Sequence, residues 1–332
     1  MYGSACPTYL KQLNSIQNQA LRLCLGAFRS SPVHSLHVEA DELPLKFRRQ
    51  KLSLQYGLKL KSHPVNPAYE FVYPTDYEYK ICLERRAIPA FRVRFKQLLN
   101  NCDIDADNIA IHEELHDYPL WDNPPIHCLT HIASFEKENT LPDFYRNEFY
   151  IIKNNFPEHE CIYTDGSKQD NKVGYAYVTS LFTIATRISD GSSIFTAEAL
   201  AVLKSLEYIQ LSTFQKFIIF SDSLSLIQSI ESENIKNSIV VSIFKLIGSI
   251  CELGKEVLFC WIPSHCGING NEKADRAAKQ ALSQEITPMK IPYNDKIPSV
   301  KKSICIIRGR KNGIKWLTTN YSKLNLYLDH LS

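Results

Sequence analysis

The stretch that most constrains the fold is CIYTDGS, residues 161–167. Its first four residues form a short apolar run of strand-forming types, and Asp165-Gly166-Ser167 indicates a turn. The pattern predicts a strand over residues 161–164 with Asp165 at its end, where a carboxylate points in a defined direction. Taken alone, Asp-Gly-Ser is usually only a turn.

Further strand patterns follow on both sides of a helical one. VGYAYVTS and LFTIATRIS, residues 173–189, are rich in β-branched and aromatic residues and predict a three-stranded meander with the first strand. FIIF, residues 217–220, and VLFCWI, residues 257–262, indicate two buried strands. The spacing of apolar residues in IFTAEALAVLKSLEYI, residues 194–209, predicts a helix. The chain therefore belongs to the α/β class.

Three more acids lie on these elements. Glu198 falls in the first turns of the helix, Asp222 follows FIIF, and Asp275 lies one turn inside a helix starting near Asn271. Four carboxylates from separate elements are typical of a site for two Mg²⁺ ions, because no single short segment can surround both ions. The sequence thus predicts a shared acidic cleft that includes Asp165.

Each of these acids also has a simpler interpretation. Glu198 is also explained as a solvated acid favoured by the helix dipole, although its alanine neighbours favour an inward position. Asp222 is also explained as an N-cap, a role open to the flanking serines. Asp275 is also explained as a surface partner of Lys279 at i+4. His265 lies in a loop with Pro263, Gly267 and Gly270, and is either an exposed residue without a role or a proton relay.

The order of these motifs resembles the type I ribonuclease H family. TDGS, AEALAV, SDS and PSHCGINGNEKAD occur in the family's order over about 125 residues, from near Glu158 to Leu282. The resemblance implies a mixed five-stranded sheet flanked by helices and preceded by a mostly helical region. It also implies a metal-dependent hydrolase, an endonuclease that cuts the RNA strand of RNA–DNA hybrids.

The resemblance also implies roles for individual residues. Asp165 would bridge two Mg²⁺ ions, Glu198 and Asp222 would complete the leaving-group side, and Asp275 would hold the ion that activates water. His265 would assist proton transfer and product departure. Mn²⁺ is the alternative ion, since both ions suit oxygen ligands. RNA would be selected through its 2′-hydroxyls, and the positions that match those contacts are Gly166, Ser167 and Ser223.

The charge of the chain is unevenly distributed. Basic residues outnumber acidic ones by 15 to 7 in residues 1–100 and by 9 to 3 in residues 284–332. Acidic residues outnumber basic ones by 11 to 2 in residues 101–150 and by 14 to 12 in residues 151–283, and the net charge of the chain is +3. The basic helical protrusion of the family's long form is absent. Because phosphate attraction dominates nucleic-acid affinity, the nuclease segment alone should bind weakly, and the basic regions are either solvated faces or phosphate contacts.

The N-terminal segment resembles a second family. IQNQALRLCLGAFRSSP, EADELPL and RRQKL resemble the region after the polymerase core in reverse transcriptases of arthropod-type non-LTR retrotransposons. No aromatic-Xaa-Asp-Asp motif of a polymerase occurs. The expectation is a C-terminal piece of a retrotransposon polyprotein that starts at an internal Met and associates with a reverse transcriptase.

Four regions are expected. They are a helical remnant over 1–62, interrupted at residues 26–32 and resuming at Leu43, an irregular linker over 63–157, the nuclease domain over 158–283, and a basic C-terminal tail over 284–332. The linker is expected to hold a short helix at 88–99 and partial disorder around residues 100–107.

Other functions agree less well with these patterns. The alternative is a catalytically inactive tether or nucleic-acid-binding module of a retroelement relic, although the intact acids favour activity. The TDGS motif argues against a third class, an integrase-like DNA nuclease. His127, Cys128 and His131 suggest zinc but lack a second ligand pair. The apolar stretch 238–253 is too short to span a membrane. Ten scattered cysteines without a CxxC pair or a secretory start predict an intracellular protein, cytoplasmic or nuclear and not secreted.

Overall fold

A computed structural model of the chain describes residues 5–73, 89–112, 126–135, 140–232, 237–312, 314–319 and 323–328, with side chains described through residue 304. Two compact units are present. One comprises residues 1–109 and 297–332, and the other residues 110–296.

The first unit is helical over its N-terminal part, as predicted from the periodicity. Its helices are α1 (Pro7–Leu25), α2 (Val33–Glu39), α3 (Leu45–Lys61), α4 (Tyr69–Val72) and α5 (Phe91–Cys102). Helix α1 ends at Gly26, whose φ of 61° is the left-handed conformation that glycine adopts readily. Helices α3 and α5 meet at Gly57, where a Cβ atom would lie 2.1 Å from the ring of Phe95. Only glycine permits this approach.

The second unit is built on a mixed sheet. Its elements are β1 (His127–Leu129), a 3₁₀ helix (His131–Ser134), α6 (Pro142–Asn155), β2 (Glu160–Gln169), β3 (Lys172–Val178), β4 (Thr183–Ile188), α7 (Ile194–Leu211), β5 (Lys216–Ser221), α8 (Leu224–Glu231), α9 (Ser238–Glu252), β6 (Glu256–Trp261), α10 (Asn269–Ala281) and β7 (Ile286–Thr287). The chain continues with α11 (Tyr293–Asn312) and the antiparallel pair β8 (Ile314–Thr319) and β9 (Lys323–Leu328).

The sheet confirms the predicted fold class and extends it. Its strand order is β1-β6-β5-β2-β3-β4-β7. The five predicted strands form the centre, with β2, β3 and β4 antiparallel and β5 and β6 parallel to β2. Short parallel strands, β1 and β7, are added at the two edges. These two strands contain three and two residues, too few to show a period of two.

Both faces of the sheet are covered, which explains the continuous apolar run FIIF. Phe217 and Ile219 of β5 pack with residues of α7, α8 and α9 on one face. Ile218 and Phe220 pack on the other face with residues of α6 and α10. A strand buried on both sides loses the alternation of polar and apolar residues.

Strand β2 does not stop at Asp165, in contrast to the prediction. Its parallel pairing with β5 ends at Thr164, but its antiparallel pairing with β3 continues to Gln169. The turn comes instead at Asp170, whose φ is 54°. Asp170 and Asn171 are residue types that favour turns, so they end the strand in place of Asp-Gly-Ser.

Residues 63–157, for which an irregular linker is expected, contain regular structure. Helix α5 covers most of the expected segment 88–99, and Ala106 and Ile109 beyond it are buried. Helix α6 was not expected, yet Pro142 stands in its first turn and Tyr145, Phe149 and Ile152 form its buried face. The i, i+4, i+7 spacing of these three residues is the helical signal within a Pro- and Asn-rich segment.

Residues after 283 also belong in part to the second unit, although a tail is expected there. Strand β7 extends the sheet, and the Ser189 hydroxyl donates to the Met289 carbonyl at 2.7 Å. A carboxylate oxygen of Asp295 accepts from the Ser193 N–H at 2.8 Å and the Thr196 hydroxyl at 2.7 Å. The Ser193 hydroxyl itself caps α7 by accepting from the Thr196 N–H at 3.1 Å, and Asp295 holds this cap in place. Among the helices in the described ranges, none is both long and apolar enough to cross a membrane.

Candidate active site

The candidate site lies where strands β2 and β5 separate. Thr164 is the last residue of β2 that pairs with β5, and Asp165 follows it directly. Side chains alternate across a strand, so Asp165 shares a face with Tyr163, which packs on the α6 and α10 side. Gly166 belongs to the opposite face, where α7 lies.

Gly166 allows α7 to bring Glu198 against β2. A Cβ atom at Gly166 would lie 2.9 Å from the Ala197 Cβ, 2.9 Å from the Glu198 N and 3.1 Å from the Glu198 Cδ. Ala197 and Ala199 are fully buried, in agreement with their expected role of allowing a close approach. The missing side chain of Gly166 thus lets acids from opposite faces of the sheet meet.

Asp222 reaches the same place from the end of β5. It follows Ser221, and its own carbonyl accepts a hydrogen bond from the Trp261 Nε1 at 3.1 Å. Ser223 occupies the N-cap position of α8 but makes no capping hydrogen bond with its side chain. Asp222 is therefore not the N-cap residue of α8, and its carboxylate lies with those of Asp165 and Glu198.

Asp165, Glu198 and Asp222 form one cluster, here called the buried trio. Each offers one carboxylate oxygen, and these three oxygens lie within 4.8 Å of one another. Asp165 is 5% exposed and Glu198 is 6% exposed. The Glu198 Oε2 is buried without a hydrogen-bond partner among the described residues. A buried, unpaired carboxylate oxygen is costly unless a cation or donor satisfies it.

Burial raises the pKa of all three carboxyl groups. The pKa of Asp165 rises to about 8, first because burial disfavours its charged form and then because Asp222 and Asp275 lie nearby. The pKa of Glu198 is raised well above its usual value by burial, and then by the charges of Asp165 and Asp222. Burial also raises the pKa of Asp222, although a hydrogen bond from the Asn271 side chain opposes it. The trio is thus unfavourable when ionised without a cation.

His265, Glu272 and Asp275 form a second cluster, here called the rim trio. Their ligand atoms also lie within 4.8 Å of one another, and they are more exposed than the buried trio. His265 has a φ of 58°, so the loop turns sharply there. Asp275 pairs with Lys279 at 2.8 Å, as the simpler interpretation predicted. Its charge also raises the pKa of Asp165, so Asp275 lies near the buried trio as well as in the rim trio.

The donor atoms fit divalent cations. Both trios offer carboxylate oxygens, and the rim trio adds an imidazole nitrogen. Oxygen-rich sites of this kind suit Mg²⁺ and Mn²⁺. The unpartnered Glu198 oxygen and the raised pKa values fit a site completed by positive charge.

The predicted substrate contacts lie next to this cluster. Gly166 and Ser167 continue β2 beyond Asp165, and Ser223 follows Asp222. Both serines are partly exposed. The structure therefore brings all eight predicted site residues to one end of the sheet.

Two site residues were missed by the sequence analysis. Asn271 is 2% exposed, and its Oδ1 has no hydrogen-bond partner among the described residues. Its contact with Asp222 joins residues 49 positions apart, and no sequence pattern indicates such a contact. Glu272 was recognisable, because it lies one helical turn before Asp275 on α10.

The zinc interpretation is not supported. Within the described ranges, the groups placed to share a metal ion do not include His127, Cys128 or His131. Burial, and then the charge of Glu231, raises the pKa of the Cys128 thiol to about 12, which opposes the thiolate that zinc requires.

A comparison with protein families agrees with this geometry. Residues 157–283 match the family model of RNase H. This segment, an RNase H domain, contains both trios and all the predicted substrate contacts. RNase H enzymes are ribonucleases that depend on divalent metals and bind RNA–DNA hybrids. The elements α6, β1 and β7 of the second unit lie outside the matched segment.

Proposed function

We propose that the RNase H domain hydrolyses the RNA strand of RNA–DNA hybrids with two divalent ions, Mg²⁺ or Mn²⁺. The observation that carries this proposal is the buried trio, with three raised pKa values and an unpartnered Glu198 oxygen. Bound divalent ions would supply an activated water and charge stabilisation for phosphodiester cleavage. The products would be 5′-phosphate and 3′-hydroxyl ends.

The roles of the residues follow from their positions. Asp165 interacts with each of the other three acids, since Asp222 and Asp275 raise its pKa and its own charge raises the pKa of Glu198. This position suits a carboxylate shared by two ions. Asn271 orients Asp222 by its hydrogen bond. His265, exposed at the rim beside Asp275, is placed to move a proton between the site and solvent.

Substrate selection is proposed to depend on the residues beside the acids. Gly166, Ser167 and Ser223 would contact the 2′-hydroxyls that distinguish RNA from DNA. Both serines are partly exposed and lie close in sequence to Asp165 and Asp222. The wider context is proposed to be a retrotransposon-derived protein that associates with a reverse transcriptase, on the basis of the resemblance in residues 1–62.

Cleavage of a labelled RNA–DNA hybrid tests the proposal. The purified chain would be compared with Asp165→Asn and with the control Asp170→Asn, which makes the same charge change on the exposed turn of β2. Single-stranded RNA and DNA serve as substrate controls. Cutting of the hybrid alone, lost in Asp165→Asn and kept in Asp170→Asn, is expected. A folded chain that cuts with neither Mg²⁺ nor Mn²⁺ would instead indicate a non-catalytic tether.

A further inference from the structure

Helices α3 and α5 of the first unit carry a strongly one-sided charge. They pack against each other through Gly57 and Phe95. Helix α3 contains six Lys or Arg residues and α5 contains three, whereas neither helix contains an acidic residue. Two of the nine pair with acids outside these helices, Arg48 with Glu42 and Lys61 with Asp107. Surface helices usually mix both signs of charge, so the excess of basic side chains on α3 and α5 still gives this surface a net positive field.

Several of these side chains share a face with exposed apolar groups. Arg48, Leu52, Tyr56 and Lys59 follow one another at i, i+4, i+8 and i+11, the spacing of one face of a helix. This face lies opposite the buried residues of α3. Leu52 is 50% exposed and Tyr56 is 37% exposed. The basic face therefore also displays apolar surface.

The Tyr56 ring is held by a short series of aromatic contacts. It meets the Phe91 ring edge to face, with centroids 5.7 Å apart. Phe91 stacks in turn on Phe95, which is 2% exposed. The Arg94 guanidinium lies 5.9 Å from the centre of the Phe91 ring. An exposed aromatic ring with a fixed orientation, flanked by cations, suits stacking of a flat, negatively charged ligand.

We propose that Arg48, Leu52, Tyr56, Lys59, Phe91 and Arg94, here called the α3–α5 strip, bind single-stranded nucleic acid. Basic side chains would contact the phosphates, and Tyr56 would stack on a base. From Arg48 to Lys59 the strip extends about 16 Å along α3, long enough for a few nucleotides. Arg48 also pairs with Glu42 at 3.0 Å on the surface, a contact that phosphate can replace at little cost.

The exposed Tyr56 ring beside basic side chains favours a nucleic acid over an acidic protein, because a base can stack on the ring while its phosphate meets the cations. The RNase H segment carries slightly more acidic than basic residues, 14 against 12 over residues 151–283. The α3–α5 strip would provide a separate attraction for the phosphate backbone. This site goes beyond the proposed hydrolysis, because it needs no metal and lies entirely in the first unit. Its ligand chemistry is shared by RNA and DNA single strands.

Fluorescence anisotropy of labelled single strands in EDTA measures this binding without cleavage. The full chain would be titrated with an RNA and a DNA 20-mer of the same sequence, and with the DNA duplex, over a range of salt concentrations. Arg48→Glu/Lys59→Glu is expected to raise Kd at least about tenfold at low salt and to make the salt dependence shallower. Tyr56→Ala is expected to raise Kd about tenfold for single strands with little change in salt dependence. Tyr56→Phe should keep the affinity.

The matched control is Lys153→Glu/Lys172→Glu, which makes the same change of charge at exposed positions of the second unit. Equal effects of the control and the strip variant would overturn the proposal, because the attraction would then come from net charge. Displacement of the strands by poly-glutamate to the same extent in wild type and Tyr56→Ala would also overturn it, in favour of an acidic protein ligand. Circular dichroism checks folding, and Tyr56→Phe separates stacking from misfolding. Failure of hybrid cleavage in wild type would affect only the proposed hydrolysis.

Discussion

The buried trio and the rim trio both offer carboxylate oxygens but differ in their surroundings. Asp165 and Glu198 are nearly inaccessible, and burial is the largest cause of their raised pKa values. The side chain of Asp275 is 18% exposed and pairs with Lys279. The first cluster is thus unfavourable in its ionised form without a cation, whereas the second is partly neutralised by the protein and by water. We infer that the buried trio sets the affinity for metal and that the rim trio adjusts it.

The largest effect is expected from Asp165→Asn. The amide keeps the shape of the side chain but removes a carboxylate of the buried trio that also interacts with Asp275 of the rim trio. Hybrid cleavage should therefore fall by at least about a thousandfold. Asp170→Asn, five residues further along the chain, should leave the rate within about twofold of wild type. Steady-state cleavage rates at saturating Mg²⁺ provide the measurement. Comparable losses in both variants would contradict the assignment of Asp165.

Gly166→Ala is expected to move Glu198 away from Asp165. The new methyl group would lie 2.9 Å from the Ala197 Cβ and the Glu198 backbone N, so α7 must move away from β2. We expect a loss of about a hundredfold in cleavage and about 1–3 kcal/mol in the free energy of unfolding. Urea titration and cleavage rates measure the two effects. Gly248→Ala in α9 is the control, because nothing lies within 4 Å of its added Cβ and stability should rise slightly.

The raised pKa of Asp165 also predicts how the stability of the metal-free chain depends on pH. Its pKa is about 8 in the folded chain and about 3.8 when unperturbed. The folded state therefore holds the proton more tightly, and stability should fall as pH rises from about 4 to about 8. In EDTA, Asp165→Asn should be more stable than wild type at pH 8 by at least about 1 kcal/mol. Urea titrations at pH 5 and pH 8 compare the two chains, and a wild-type stability that rises with pH would contradict this expectation.

Glu272→Gln is expected to cost less than any change in the buried trio. Water and Lys279 already reduce the repulsion at the rim, so loss of one rim ligand should reduce cleavage about tenfold. The loss should be partly recovered at higher Mg²⁺ concentration. A Mg²⁺ titration of the cleavage rate, with the exposed helix variant Glu207→Gln as control, tests this. A thousandfold loss at saturating Mg²⁺ would place Glu272 on a par with Asp165.

The smallest effect is expected from Lys279→Met. Lys279 pairs with Asp275 on the surface, and its charge also lowers the pKa of Asp165 to a small extent. Exposed pairs contribute about 0.2–1 kcal/mol to stability. The variant should therefore change the melting temperature little, while the cleavage rate at pH 7 should fall about threefold. Increasing the pH should reduce the difference between the two chains. No recovery at higher pH would indicate that Lys279 acts on the substrate instead.

The central strands and the four acids were predictable because each lies in a local pattern. FIIF predicts a strand buried on both faces. Asp165 and Asp222 follow apolar strand patterns, and Glu198 and Asp275 lie near the starts of helices. The helix α6 was missed although its buried residues repeat at helical spacing, because Pro and Asn around it indicated an irregular segment. The extension of β2 past Asp165 depends on pairing with β3, which no local pattern contains.

Long-range contacts account for the rest of what sequence reasoning did not find. The hydrogen bond between Asn271 and Asp222 joins two distant segments, and so does the hydrogen bond from the Ser193 N–H to Asp295 at the start of α7. Neither residue has a local pattern that distinguishes it from an ordinary polar residue. The sequence predicts that glycine is needed at position 166 but not why, since a turn and a close approach of a helix both favour glycine.

The C-terminal end of helix α7, which carries Glu198, is contacted by a buried lysine from the segment before β6. Lys255 is 9% exposed, and its ammonium donates to the carbonyls of Ile209, Gln210 and Ser212 at 2.8, 3.0 and 2.6 Å. Acylating reagents attack only accessible amines, so this buried lysine should stay unmodified while exposed lysines react. Pulse labelling of this lysine, measured by mass spectrometry, would therefore report how often the end of α7 opens. The lysine is a natural probe, so no substitution is needed to introduce one.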